Sequence, residues 1–520
     1  MMRGYTSWFS KPFVSGSIAA LAAAVVLAGL LTIGSSESAQ ALPSFARQTG
    51  QPCGTCHTDY PALTPYGRRF KLLGYTTGGG QYRTTLFSDS RIARDANAEL
   101  SSYARSIGGT GESNSSPSAS PGEKGWVPPV SMMAIVGYAH TQADLPQPSD
   151  PYKPNDNTVL SPFSGFWGGA ITSNIGAFAQ ITYAAPGAGG FGNYPFAHTW
   201  TWDNTDVRFA STAHVGPLDV IYGITANNNP TVQDLWNTTP AWAFPYAQSN
   251  LGSTGPSAGT MMEGAFAAHV GGVGAYAYIN DLLYLEVTGY KTLGFNAQNT
   301  LGTDPFGAPG LFSGVAPYWR AAFEPHWGSH SLMVGTYGMI FNVNPWLDTS
   351  GFGPIGTFSQ ADKYTDIGFD TQYQYQGSNY WLTLRASYIH EFQRLDASFN
   401  SFSTTPSANP TNTLNSLRLQ ASFAYGADNR VVFTGQYFDV SGTADAGLYG
   451  VDLSGNALTP NSNGWTGEIA YIPFSASKAP GWPWFNARLG LQYTYYNKFN
   501  GTTIAAHDNN TLFLHAWFAM

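Results

Sequence analysis

Apolar and polar residues alternate along most of the chain between Val130 and Met520. In NYWLTLRASYIHE, Leu382, Leu384, Ala386 and Tyr388 share one face, and Thr383, Arg385, Ser387 and Glu391 fall on the other. In FNARLGLQYTYY, Phe485, Ala487, Leu489, Leu491 and Tyr493 oppose Asn486, Arg488, Gln492 and Thr494. SLRLQASFAY sets Leu417, Leu419 and Phe423 against Arg418 and Gln420, and TDIGFDTQYQY sets Ile367, Phe369 and Tyr373 against Asp366, Asp370 and Gln372. Successive side chains on a strand point to opposite faces, so a period of two predicts strands with one hydrocarbon face and one polar face. A soluble β-sandwich alternates too, but its water-facing side would carry more Lys and Glu.

The connections between these runs alternate as well. Tight turns are expected at 173–174, 216–217, 280–281, 328–329, 377–379 and 427–429, where Gly, Asn, Asp, Ser, Pro and Ala residues fall. Long segments rich in Pro, Asn, Ser and Gly separate them at 142–163, 185–202, 227–258, 292–315, 344–362, 392–412, 441–463 and 498–509. Short loops on one side and long loops on the other are the outer-membrane arrangement, with the long loops outside. The pattern predicts an all-β fold, a transmembrane antiparallel β-barrel of about sixteen strands, with both barrel ends on the periplasmic side. The last run, LFLHAWFAM, places Phe518 two residues short of the C-terminus rather than at it.

Composition sharpens that reading. Only 10% of residues are charged while 15% are aromatic, against about a quarter charged in an ordinary soluble domain. A disordered chain would not hold 30 Tyr, 32 Phe and 15 Trp. Beyond the N-terminus no apolar run reaches the roughly 18 residues a spanning helix needs. The net charge of −8 argues against a nucleic-acid partner and suits attraction of cations.

Four zones follow. Residues 1–41 read as a signal peptide: Arg3 and Lys11, an apolar core from Ile18 to Ile33, then Ala39-Gln40-Ala41 as a small-x-small cleavage site; a membrane anchor is the alternative. Residues 42–75 hold the chain's cysteines, 76–129 form a partly low-complexity connector, and 130–520 form the barrel.

Cys53 and Cys56, the only two cysteines, are followed by His57 in C-x-x-C-H, the pattern for covalent c-type haem attachment. Two thiols three positions apart reach the two vinyl groups of one porphyrin, and the next histidine is held at the iron as an axial ligand. A zinc site would want further Cys or His ligands nearby, and this stretch has none. A small α-helical monohaem cytochrome c segment is therefore expected, with Leu63, Tyr66, Phe70, Leu72 and Leu73 packing on the haem and Arg68, Arg69 and Lys71 available to its propionates; a solvated basic face is the alternative for those three. No second histidine and no methionine falls between Gln40 and Val130. The sixth iron ligand is absent, is a less usual local group, or comes from the barrel, where Met133 or His140 on the first strand are candidates on opposite faces. His269, Met333 and Met339 are further inward ones.

The segment FARQTGQPCGTCHTDYPALTPYGRRFKLLGY, with barrel stretches such as GAITSNIGAFAQITY, DNTDVRFA and YGITANNNPTVQDLWNTTPAWAFPY, resembles the outer-membrane fused monohaem cytochrome–porins of iron-oxidising bacteria. The resemblance implies an electron-transfer protein of the iron:cytochrome c oxidoreductase type in the outer membrane. Extracellular Fe(II) would be the donor, and a periplasmic cytochrome or other soluble carrier the acceptor. A surface conduit for another donor or acceptor, and a diffusion porin with a structural or sensing haem, are the alternatives. Loop 227–246, with Asn227, Asp234, Trp236, Trp242 and Tyr246, would fold inward over the pore or pack on its rim. The lumen charges, among them Asp206, Arg208, Glu286, Arg320, Glu324 and Arg488, are expected to pair with one another.

Overall fold

A computed structural model describes residues 43–49, 51–76, 129–144, 153–183, 200–249, 256, 258–347, 356–426, 430–452, 454–475 and 479–520. The stretches read from the sequence as a signal peptide and, nearly all of it, as a connector lie outside these residues.

Sixteen long strands form a closed antiparallel barrel. They are β1 Val130–Thr141, β2 Asp156–Ala170, β3 Ile175–Tyr183, β4 Trp200–Val215, β5 Leu218–Asn227, β6 Val270–Ile279, β7 Leu283–Thr292 and β8 Ala316–Phe323. The second half comprises β9 His330–Pro345, β10 Asp362–Gln376, β11 Tyr380–Arg394, β12 Thr411–Tyr425, β13 Arg430–Gly442, β14 Ser462–Ile472, β15 Asn486–Lys498 and β16 Thr511–Ala519. Each pairs with its neighbour in sequence, and β1 closes the ring on β16 from Met133 opposite Ala519 to Thr141 opposite Thr511. Closure leaves no unpaired edge, which is the condition for strands to cross lipid.

The alternation read from the sequence is the alternation of the wall. On β10, Asp366, Asp370, Gln372 and Gln374 are buried inside, while Ile367 and Phe369 stand outside at 40% and 57% exposure. Leu384, Leu419, Phe433, Trp465, Ile469 and Leu491 continue the exposed apolar band around the wall. No described helix is long and apolar enough to cross a membrane. The protein is an outer-membrane β-barrel, with lipid against that band and the polar faces turned inward.

Loop lengths follow the expected two-sided pattern, with two differences. Strand β2 begins at Asp156, so much of the segment expected as loop up to 163 belongs to the wall. On the short-connection side, 473–485 is the long exception; it carries Pro473, Pro480 and Pro483, and its Ser475 carbonyl accepts from Gly54 N of the N-terminal segment. The other turns on this side are tight: Asn280 and Asp281 both adopt positive φ, 52° and 53°, as a hairpin turn that follows strand twist requires.

Candidate functional site

The N-terminal segment is built from three short helices, α1 Pro43–Thr49, α2 Cys53–Cys56 and α3 Pro65–Leu72. Thr64 caps α3 by accepting from Gly67 N at 3.1 Å, and its hydroxyl donates to Thr55 O at 2.6 Å, so one side chain starts α3 and ties it to α2. Gly67 allows the crossing: a Cβ there would lie 2.3 Å from Cys56 O. His57 N donates to Cys53 O at 3.0 Å, and a backbone bridge to Leu63 turns the chain back towards α3.

This segment sits inside the barrel at the short-connection end, which is the periplasmic end. Arg47 Nη2 donates to Val130 O at 2.7 Å, and Gln48 exchanges bonds of 2.9 Å with Gly168 O and Ala170 N on β2. Gly54 N donates to Ser475 O, and Arg430 Nη1 donates to the carbonyls of His57 and Thr58 at 2.6 and 3.1 Å. Arg488 on β15 meets Asp59 through two bonds of 2.8 and 2.9 Å and also pairs with Glu468. Arg68 reaches Glu324 at 2.5 Å and Gln374 at 2.6 Å, and Arg69 pairs with Asp281 in its hairpin turn at 2.9 Å. At the far end of the segment, Tyr75 Oη donates to Asp206 and Tyr276 Oη donates to Leu72 O.

The loop after β5 folds inward over the same segment. Val232, Leu235, Trp236 and Phe244 are at most 3% exposed. Asn237 Oδ1 accepts from Leu63 N at 3.0 Å, and Lys71 Nζ donates to Val232 O and Asp234 O, both at 2.7 Å. Asp234 caps the loop's turn at Trp236 N and Thr238 N and faces Arg320 at 3.3 Å. Of the two readings the sequence allowed for this loop, the inward one is the structure.

Segment, loop and wall together line a cavity of about 470 Å³ that includes Cys53, Cys56 and His57, a size ordinary for a cofactor pocket. Its apolar lining brings Phe45, Phe70 and Tyr75 of the segment together with Met133, Phe166, Phe178 and Trp517 of the wall and Trp242 and Tyr246 of the loop. Lys71 also lines it, 4.7 Å from the centre of the Trp242 ring.

The remaining sequence candidates fall elsewhere. Arg68 and Arg69 are committed to the barrel wall, outside the pocket lining. Leu72 and Leu73 pack on the opposite side with Trp236, Tyr284 and Met333. His140 points outward near the extracellular end of β1, half-exposed and 2.8 Å from Asp156. His269 bonds to Gln298 in a long loop, and Met339 belongs to the core above the inward loop. Most of the lumen charges pair, Asp206 with Arg208, Arg320 with Asp370 and Arg418 with Glu263, but Glu286 is held by the hydroxyls of Tyr284 and Thr288 and Asp366 lies beside the Glu391 carboxylate. Asp59 and Arg430 were missed as anchors; a lone acid two residues after C-x-x-C-H, in a segment with four basic residues, is the signal that pointed to Asp59.

Burial raises the Cys53 thiol and pushes Cys56 up to about 12, with Cys53 adding to the latter. Burial lowers His57 to about 4, against the Pro61 and Ala62 carbonyls, whose approach falls short of a well-formed hydrogen bond and leaves Nδ1 without one. Burial, then Arg208, lowers Lys71 to about 7, offset by Asp206, Asp234 and Glu286. Neutral thiols and a neutral imidazole thus line a largely apolar cavity, and no three His, Cys, Asp or Glu side chains gather as an ion site among the described residues.

No family model and no curated protein matches this chain. Among solved structures it is similar to OprB of Pseudomonas putida, at 12% identity over 75% of this chain and 92% of that one, with a TM-score of 0.40. It is also similar to OmpF of Salmonella typhi in complex with daunomycin, at 12% identity, 75% and 97% coverage and 0.40. An anion-selective porin from Comamonas acidovorans matches at 10% identity, 75% and 98% coverage and 0.40. Likeness at that level adds nothing to what the strands themselves show.

Proposed function

We propose that this outer-membrane protein is an electron-transfer protein whose plug carries one covalent haem c. The observation that carries the reading is the pocket lined by both cysteines and the histidine of C-x-x-C-H. Bound there, haem supplies one-electron exchange. Each thiol would add across one vinyl group, sulfur to one carbon and its hydrogen to the other, so attachment needs no oxidant. His57 offers its imidazole to the iron. Phe45, Phe70, Trp242 and Trp517 would surround the haem with hydrocarbon, and the polarity around a haem is one of the protein's main means of setting its potential. The barrel thereby supplies the core that a segment this short cannot build alone.

The site lies near the periplasmic end, within reach of a soluble periplasmic cytochrome or other carrier. Extracellular Fe(II) as donor is what the resemblance to cytochrome–porins adds, and electrons taken there would leave ferric iron outside the cell. Anoxic rapid mixing of the oxidised protein with Fe(II) tests this. Prompt appearance of a ferrous c-type spectrum is expected; reduction by dithionite but not by Fe(II) would remove iron as donor.

The barrel itself favours a second reading, a diffusion porin in which the haem is structural or senses redox state, since barrels of sixteen strands can leave an aqueous channel. Planar-bilayer conductance separates the two: a plugged conduit gives small steps, an open porin large ones.

A further inference from the structure

We infer that the barrel wall completes the haem site: Met133, on the first strand, supplies the sixth ligand to the iron opposite His57. This rests on the haem reading above. The plug holds no second histidine and no methionine, so a strong sixth ligand has to come from outside it. Among the described residues lining the pocket, His57 is the only histidine and Met133 the only methionine. The lysine and the tyrosines of the lining are engaged elsewhere. Lys71 Nζ donates to two carbonyls at 2.7 Å and lies over Trp242. Tyr75 Oη donates to Asp206, Tyr60 Oη accepts from Asn486, and Tyr246 Oη accepts from Arg385.

Met133 is placed for the role by the alternation of β1. Ser131, Ile135 and Ala139 are buried inside, while Met132 and Val136 face lipid, which puts the Met133 thioether inside. It is partly buried, packed against the cluster of Tyr75, Phe166 and Phe178 and against that of Ile135, Ala139, Ala247 and Phe513. The thioether is flexible and lacks a hydrogen-bond requirement, so it can turn from this packing to an iron without leaving a polar group unpaired. Ligation from the wall would also fasten the plug to the barrel, and an axial methionine raises the potential.

The test is spectroscopic, on purified full-length protein matured with haem. Met133→Leu keeps the packing volume. Wild type is expected to show the ferric sulfur-to-iron charge-transfer band and slow carbon monoxide binding when reduced. Met133→Leu should lose the band, bind carbon monoxide rapidly and show a lower midpoint potential. Met133→His should restore a six-coordinate spectrum at lower potential than wild type. A Met133→Leu protein with the wild-type spectrum and carbon monoxide rate overturns the inference, as does a wild type lacking the band. Both leave the haem reading intact; a wild type without covalent haem overturns both.

Discussion

Asp59→Asn and Arg488→Met cut the same contact and differ in what they leave behind. Asp59 meets the Arg488 guanidinium through two bonds of 2.8 and 2.9 Å, and both side chains are almost fully buried. Arg488 also holds Glu468. Asp59→Asn leaves Arg488 neutralised by Glu468 and removes charge-assisted bonding worth about 1.5–3 kcal/mol. Arg488→Met strands the buried Asp59 carboxylate, while Glu468 keeps Gln492 and His515, at a cost of about 3–5 kcal/mol. With about 1.4 kcal/mol per factor of ten, the fraction of plug undocked should rise roughly 10- to 100-fold in the first variant and roughly 100- to 3,000-fold in the second. Hydrogen exchange at amides between Thr55 and Leu73 reads this local opening, with barrel-strand amides as the internal control. If neither variant exchanges faster than wild type, or Asp59→Asn opens the plug more than Arg488→Met, the pair is not the anchor argued here.

Further expectations follow from single contacts. Gly67→Ala drives a Cβ to 2.3 Å from Cys56 O, costing about 1–3 kcal/mol as overpacking, and should lower the haem-to-protein ratio. Gly435→Ala, with nothing within 4 Å of its Cβ, should leave that ratio unchanged. Lys71 sits at about 7 in the folded state against 10.5 as its ordinary value. Between those values the undocked segment holds the extra proton, so docking should strengthen as pH rises from about 7 to 10.5. Lys71→Met should flatten that dependence in exchange protection factors, and an unchanged slope would show that Lys71 is not its source. Asn237→Ala leaves Leu63 N without its partner, at about 1–3 kcal/mol, and should raise protease sensitivity near Pro61 without altering barrel assembly.

The wall was legible because lipid and lumen impose opposite demands on alternate residues, so Asp366 beside Ile367 already reads as inside beside outside. The lumen contents were less legible, since nothing local in C-x-x-C-H says that Arg430 and Arg488, each more than 370 positions away, will hold the turn after it. Arg68 and Arg69 show the same limit. A basic pair beside a haem motif reads as propionate partners, yet Glu324 and Asp281 on the wall take both. Inward folding of the loop after β5 depends on Asp234 meeting Arg320 and Asn237 meeting Leu63, contacts between segments that alternation cannot register.

The most direct test of the account is haem staining after denaturing electrophoresis of the protein, produced with c-type maturation, beside a Cys53→Ala/Cys56→Ala variant whose barrel assembles. One haem that stays with the wild-type chain and is lost from the variant is the result predicted. A wild-type chain that carries no covalent haem, or a variant that keeps it, would contradict the assignment of the plug pocket as a haem c site.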